Sequence, residues 1–267
     1  MTNELTPLIE PICALAEQAG RAILGYYHGG FTVRSKSDAT PVTEADEIAD
    51  AIIVRALLDL LPGVAVVSEE TGLRGGDPDV AHHRFWAVDP LDGTREFIAL
   101  RDEFTVNIAL IENGRPVFGV VHAPARNLTY CGAGPHTARL RKPNQATLPI
   151  AARRPPEDGL IALTSRWHDS NVDLDASLAR FAVKERRTLG SSLKFCEIAA
   201  GEADLYIRLG PTSEWDTAAG QAVLEAAGGS VMTIDGEPFA YGKPGFINSS
   251  FIALGNAPGL ARSLTGG

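Results

Sequence analysis

Residues 84–97 constrain this chain more than any other stretch. Arg84-Phe-Trp-Ala-Val88 is an apolar strand that runs straight into Asp89-Pro-Leu-Asp-Gly-Thr94, after which a helix can start. Pro90 has no N–H to give a sheet, so the spacing predicts that the strand cannot continue regularly past Asp89. The resulting bend can turn the carboxylates of Asp89 and Asp92, together with the Leu91 carbonyl, into one pocket. Gly93 lets backbone approach an anion closely, and Thr94 adds a hydroxyl and an N–H. Free N–H groups at a helix start there form a phosphate site. The same six residues also read as an ordinary turn, because Asp, Pro and Gly are turn formers.

On either side of this stretch the periodicity is clear. Leu5, Leu8, Ile9, Ile12, Leu15, Ala16, Ala19 and Ile23 recur at helical spacing, which predicts a helix over about 5–27. A second helix is predicted from Thr43 to about Leu61, ended by Pro62-Gly63. Val64–Val67 is a short strand leading into Ser68-Glu69-Glu70, and a short helix is predicted over about 94–100. Residues 103–133 predict an antiparallel meander with a hairpin turn at Asn113-Gly114. The Pro-rich, charged stretch 141–159 is the expected boundary between two halves, 1–150 and 151–267. Beyond it strands at 160–164, 184–188, 204–208, 230–234 and 250–254 alternate with helices at about 172–182, 191–201, 214–227 and 257–264. The first half reads as α+β and the second as layered α/β.

Acidic residues gather at element ends: Asp46, Glu69, Asp89, Asp92 and Asp216. Side chains at strand ends are held rigidly while facing a cleft. Hard oxygen donors of this kind suit Mg²⁺ or Mn²⁺ rather than zinc or copper. Each also has a structural reading. Asp46 closes Thr43-Glu-Ala-Asp46, a capping box with Asp in place of Glu. Asp216 can complement a helix dipole, and Glu69-Glu70 can be a solvated strand end. Lys194, Arg208 and His168 are cationic or polar groups near element ends that a polyanionic ligand would need. His82 and His83 read as solvated loop residues, and Trp86 as core.

Composition removes other classes. The net charge of −9 argues against a basic nucleic-acid surface. Three widely spaced cysteines, Cys13, Cys131 and Cys196, fit neither a zinc site nor a disulfide framework and read as buried free thiols. With no apolar run of membrane-spanning length and no signal-peptide profile, the expectation is a cytoplasmic protein, a peripheral contact at the inner membrane being left open.

At this point the sequence resembles the inositol monophosphatase superfamily of Mg²⁺-dependent, lithium-sensitive phosphatases. The matching pieces are Pro-Val-Thr-Glu-Ala-Asp (41–46), Ser-Glu-Glu (68–70), Asp-Pro-Leu-Asp-Gly-Thr (89–94) and Trp-Asp-Thr-Ala-Ala-Gly (215–220), in family order. Residues 92–98, 103–111, 190–196 and 205–212 are similar to the branch of CysQ-type 3′(2′),5′-bisphosphate nucleotidases. The resemblance implies a layered αβαβα sandwich. It implies that Glu69, Asp89, the Leu91 carbonyl, Asp92 and Asp216 hold metal, and that Asp46 and Thr94 activate a water. Gly93 and Thr94 would hold the scissile phosphate, and Ser191, Lys194 and Arg208 the nucleotide. His168 matches a Ser-Arg-x-His pattern in which Trp167 departs from the expected small polar residue.

The expectation is therefore a Mg²⁺-dependent phosphomonoesterase with two or three ions, replaceable by Mn²⁺ and inhibited by Li⁺. It would release the 3′-phosphate of 3′-phosphoadenosine 5′-phosphate to give AMP, serving sulfur assimilation. Inositol monophosphate, histidinol phosphate or a sugar phosphate are the alternative substrates, and a non-catalytic nucleotide-binding protein is the alternative class. Oligomeric state is not read from the sequence.

Overall fold

The computed structural model describes residues 5–35, 41–74, 83–166 and 171–260. The opening helix is α1, Ile9–Gly29, entered through a 3-10 turn at Thr6–Leu8. Ile12, Leu15, Ala16, Ala19 and Ile23 are buried along it, the three-and-four spacing of one apolar face. Helix α2 is Glu44–Leu60, capped by Thr43, whose hydroxyl oxygen accepts the Ala45 N–H at 3.2 Å. Then come α3 (Thr94–Ile98), α4 (Asn171–Leu178), α5 (Leu193–Ala199) and α6 (Glu214–Ala226). The helix expected over 172–182 stops at Leu178, because Phe181 and Val183 pack against the core of a sheet instead. Of the helix expected over 257–264, residues 257–260 lie within the described residues, and 258–260 are helical.

Two sheets organise the rest. The first has eight strands in the spatial order 148–149, 139–141, 128–132, 115–123, 105–112, 84–92, 65–68 and 72–74. Its pairs are antiparallel apart from 65–68 beside 84–92. The expected meander is the middle of this sheet. The second sheet runs 183–188, 160–164, 205–208, 251–254, 230–233. Strand 160–164 is parallel to both neighbours, with α4 and α5 in the connections, and the remaining pairs are antiparallel. Residues 31–42 read from sequence as a short strand and a polar loop, and 33–35 does form a strand, paired with 41–43. The sequence reading omits strands 72–74, 139–141 and 148–149 and the ribbon 212–213/247–248. Two or three residues are too few to show a period of two.

Alternation along the strands sorts side chains into layers. Ala65, Val67, Phe85, Ala87, Ala109 and Ile111 face inward, while Val66, Trp86, Val88, Ile108 and Leu110 face the opposite side. The second set packs against α1 and α2. The inward set meets α5 and α6 and, beyond them, Ile161, Leu163, Tyr206 and Phe251 of the second sheet. The far face of that sheet covers Leu174 and Leu178 of α4. The result is the expected αβαβα sandwich, and its inner layer draws on both sides of residue 150. Each large apolar side chain buried like Phe85 or Trp86 contributes roughly 2–3 kcal/mol. All three cysteines are buried free thiols, as expected.

Helix α6 lies very close to the first sheet. A Cβ at Gly119 would stand 2.5 Å from the Ala219 carbonyl oxygen, and one at Gly132 would stand 2.6 Å from the Ala226 Cβ. Glycine on the strands facing alanine on the helix is what permits this approach. Among the described residues no helix is long and apolar enough to cross a membrane.

Candidate active site

Strand 84–92 does continue past Pro90, but its ladder with 105–112 slips. Asp89 pairs with Asn107 and Asp92 with Thr105, so three steps on one strand match two on the other. That extra residue is a bulge. In a regular strand, residues three apart face opposite sides. The bulge restores parity, and both Asp89 and Asp92 line one cleft of about 520 Å³. Within the bend the Leu91 N–H donates to Asp89 Oδ1 at 3.0 Å.

Glu69 enters the same cleft from the turn after strand 65–68, its N–H bonded to the Val88 carbonyl at 3.1 Å. Asp216 comes from the first turn of α6, where its Oδ2 accepts the Ser213 N–H at 2.8 Å. Glu69, Asp89 and Asp216 each place a carboxylate oxygen within 4.8 Å of the others. Burial first, then the charges of Glu69, Asp92, Asp216 and Asp46, push the Asp89 carboxyl well above the usual range. Burial and then Asp92 and Glu69 raise Asp216 likewise, against the pull of the Ser213 N–H and Arg208. Asp92 is pushed up to about 6 by burial, with Lys194 and the Ser192 N–H opposing. Clustered carboxylates cannot all ionise in a buried site without a compensating charge. A divalent cation supplies it, and an all-oxygen donor set fits Mg²⁺, Mn²⁺ or Ca²⁺ rather than a thiophilic ion.

Asp92 stands beside this trio rather than within it. Its Oδ2 accepts the Ser192 N–H at 2.5 Å and lies 3.4 Å from Asn107 Nδ2 and 3.5 Å from Thr105 Oγ1. Ser192 Oγ in turn donates to Asn107 Oδ1 at 2.7 Å. A carboxylate of the first sheet is thus tied to the loop that begins α5.

Gly93 must be glycine on two counts. Its φ is +90°, and a Cβ would lie 3.1 Å from the Glu103 carbonyl oxygen and 3.3 Å from the Ser191 Cβ. The helix it precedes, α3, is only five residues long. Thr94 Oγ1 lies 3.3 Å from Asp46 Oδ1 and 3.3 Å from the Leu91 carbonyl oxygen, so its one hydrogen serves one of them at a time. Asp46 is buried at the start of α2, with its Oδ2 accepting both the N–H and the hydroxyl of Thr43. It closes the expected capping box, and its other oxygen lies beside Thr94.

Ser191, Lys194 and Arg208 line the same cleft. Ser191 sits at φ +51°, a strained position for a residue with a side chain. Lys194 is buried, and its Nζ donates to the carbonyls of Leu189 and Ser191 at 3.0 and 2.7 Å and lies 5.0 Å over the Tyr206 ring. It shapes the loop as well as lining the cleft. Arg208 Nη2 donates to the Pro211 carbonyl at 3.3 Å. His168 and Trp167 fall outside the described residues.

The sequence reading passed over three residues here. Arg166 lines the cleft and pairs with Glu103 at 3.1 Å, while Glu103 Oε2 accepts the Gly190 N–H at 2.9 Å. Asp50 lies behind the Glu69 turn. Arg166 stood inside the quoted Ser-Arg-x-His pattern and Asp50 one helical turn beyond Asp46, so a signal existed for both. Glu103 opens the quoted stretch 103–111, so it too lay within a matched motif.

The sequence model of the inositol monophosphatase family matches residues 4–265. The 3′(2′),5′-bisphosphate nucleotidase CysQ of Escherichia coli strain K12 is 42% identical over 252 residues, covering 91% of this chain and 98% of that protein. The CysQ protein of Buchnera aphidicola is 37% identical, covering 95% and 96%. The crystal structure of CysQ from Bacteroides thetaiotaomicron superposes with a TM-score of 0.76 at 33% identity, covering 91% of this chain and 94% of that one.

Proposed function

The chain belongs to the inositol monophosphatase family, metal-dependent phosphatases, and we propose that it acts as a 3′(2′),5′-bisphosphate nucleotidase. The observation that carries this reading is the convergence of Glu69, Asp89 and Asp216 on a cleft also lined by Ser191, Lys194 and Arg208. The carboxylates suit a cation-bound phosphate, and the cationic side chains lining the same cleft suit a second anionic group. The 42% identity with a named nucleotidase supports the choice of substrate.

In this reading Glu69, Asp89, Asp92, Asp216 and the Leu91 carbonyl hold Mg²⁺, as two or three ions, with Mn²⁺ an effective substitute and Li⁺ an inhibitor. Bound Mg²⁺ supplies a lowered water pKa and neutralises charge on the phosphate and leaving oxygen. The chain's own residues orient the reactants. Thr94 Oγ1 donates to Asp46 Oδ1 and accepts from the attacking water, so the proton released in attack has a buried carboxylate to move towards. The backbone at Gly93 and Thr94 holds the scissile 3′-phosphate. Water oxygen bonds to phosphorus as the bond to O3′ breaks and O3′ takes a proton from solvent water, leaving AMP and phosphate with no phosphoenzyme. Ser191, Lys194, Arg208 and His168 are assigned to the nucleotide. The two halves divide the work, with 1–150 carrying most metal-holding groups and 151–267 the nucleotide-facing ones.

The test is a phosphate-release panel at equal concentrations of adenosine 3′,5′-bisphosphate, inositol monophosphate, histidinol phosphate and a sugar phosphate, with and without Mg²⁺ and Li⁺. Adenosine 3′,5′-bisphosphate is expected to be hydrolysed fastest, only with the divalent ion, and more slowly with Li⁺. Preference for another member overturns the substrate assignment, and release from none overturns the enzyme reading.

A further inference from the structure

Asp50 is a buried carboxylate that the reaction as described does not use. It lies on α2 one turn after Asp46, so both acids project from the same face of that helix. Asp46 reaches Thr94. Asp50 reaches the hairpin that carries Glu69. Its Oδ1 accepts the Ser68 hydroxyl in a short hydrogen bond and lies 3.5 Å from Thr71 Oγ1.

Ser68 and Thr71 bracket Glu69 and Glu70. Ser68 ends strand 65–68 and pairs with Gly72 of strand 72–74, so residues 69–71 are the tip of a three-residue hairpin. Left alone, such a tip is a mobile perch for a cation ligand. Here the Glu69 N–H is fixed to Val88, next to Asp89, and hydroxyls on both flanks of the tip converge on one buried oxygen of Asp50. We propose that Asp50 is a positioning residue that clamps the 68–71 turn and so aims Glu69 at the cation site. Helix α2 thereby serves the site through two acids one turn apart. This proposal rests on the reading of Glu69 as a metal ligand.

The experiment uses the full chain and compares Asp50→Ala, Asp50→Asn, Ser68→Ala and Glu69→Gln. Three quantities are read: Mn²⁺ affinity by electron paramagnetic resonance without substrate, the Mg²⁺ concentration giving half-maximal hydrolysis of adenosine 3′,5′-bisphosphate, and the melting temperature. Groups that orient a metal ligand typically cost about ten-fold or more in metal affinity when removed. Asp50→Ala is expected to weaken Mn²⁺ binding and raise the Mg²⁺ requirement by that factor, with kcat at saturating Mg²⁺ changed far less. Asp50→Asn keeps an acceptor oxygen and is expected to restore most of the affinity. Ser68→Ala removes the clamp from its other end and is expected to reproduce the loss, which keeps the test decisive if Asp50→Ala does not fold.

Unchanged metal affinity in Asp50→Ala and Ser68→Ala, with Glu69→Gln impaired, overturns the clamp alone. Unchanged affinity in Glu69→Gln overturns the ligand reading beneath it. Equal losses of kcat in Asp50→Ala and Asp50→Asn at unaltered metal affinity would mark Asp50 as merely structural.

Discussion

Asp46 and Asp216 hold the same station in two different helices: each is the third residue of its helix, and each accepts the backbone N–H of its own N-cap residue at 2.8 Å. Asp46 then offers its other oxygen to Thr94, and the Asp216 carboxylate also reaches Glu69 and Asp89. A helix start is a rigid mount, and its own capping bond fixes the side chain's rotamer. In both places the cap is the means by which the site is aimed.

Neutralising one acid of the trio separates function from folding. Asp89→Asn and Asp216→Asn are expected to lose more than the ~10–100-fold in turnover typical of groups that only support a ligand. Without divalent ions both variants are expected to melt at or above the wild-type temperature, since each relieves repulsion among buried carboxylates. Phosphate release and melting curves with and without Mg²⁺ check this, and near-normal turnover in either variant removes that residue from the ligand set.

Thr94→Val keeps the shape of the side chain and deletes its hydroxyl. Turnover is expected to fall about 10²-fold, the lower end for general acid–base groups, with KM little changed. Because Thr94 Oγ1 and Asp46 Oδ1 are adjacent, the double variant with Asp46→Asn is expected to lose little more than the worse single one. Multiplicative losses would show that the two residues act separately.

The seat of α6 gives a contrast between two glycines. Gly119→Ala would drive a Cβ to 2.5 Å from the Ala219 carbonyl oxygen and 2.7 Å from the Ala222 Cβ, with an expected cost of about 1–3 kcal/mol. Because α6 carries Asp216, the Mg²⁺ requirement is expected to rise as well. Gly25→Ala, on α1 with nothing within 4 Å of the new Cβ, is expected to stabilise by roughly 0.5–1 kcal/mol. Urea unfolding of the two variants measures both effects.

His122 sets an acid limit on stability. Burial, with Arg21 adding to it, lowers its pKa to about 4 from an ordinary 6.5, while its Nδ1 lies 2.9 Å from Thr129 Oγ1. Between those values the unfolded chain binds a proton that the folded ring refuses, so the contribution is complete above pH 6.5 and drains away as pH falls towards 4. Over the whole window it amounts to about 3 kcal/mol. Urea unfolding of the wild type and His122→Gln at pH 7 and pH 4.5 isolates it: the wild type is expected to lose more stability on acidification than the variant. Parallel losses would mean that another group governs.

Much of this was legible in the sequence because it is local. Strand 84–88, the two long amphipathic helices and the five acids at element ends each announce themselves within a few residues. Pro90 correctly signalled an irregularity, yet only the pairing with 105–112 shows that it is a bulge of one residue rather than the end of the strand. Lys194 was read as a substrate group and is also tied to two loop carbonyls. The bonds from Ser192 to Asp92, Gly190 to Glu103 and Ser68 to Asp50 join distant segments. No local periodicity encodes such contacts, so they emerge only when the layers close.

The bond from the Ser192 N–H to Asp92 has a thermodynamic consequence. On the proposed reading one carboxylate answers to two ligands, the cation on the first sheet's side and the nucleotide through the loop that carries Ser191. Any such sharing is reciprocal: the factor by which nucleotide alters Mg²⁺ affinity must equal the factor by which Mg²⁺ alters nucleotide affinity. Whatever the sign of that coupling, metal and substrate would not load independently, and each would change the hold on the other by the same factor.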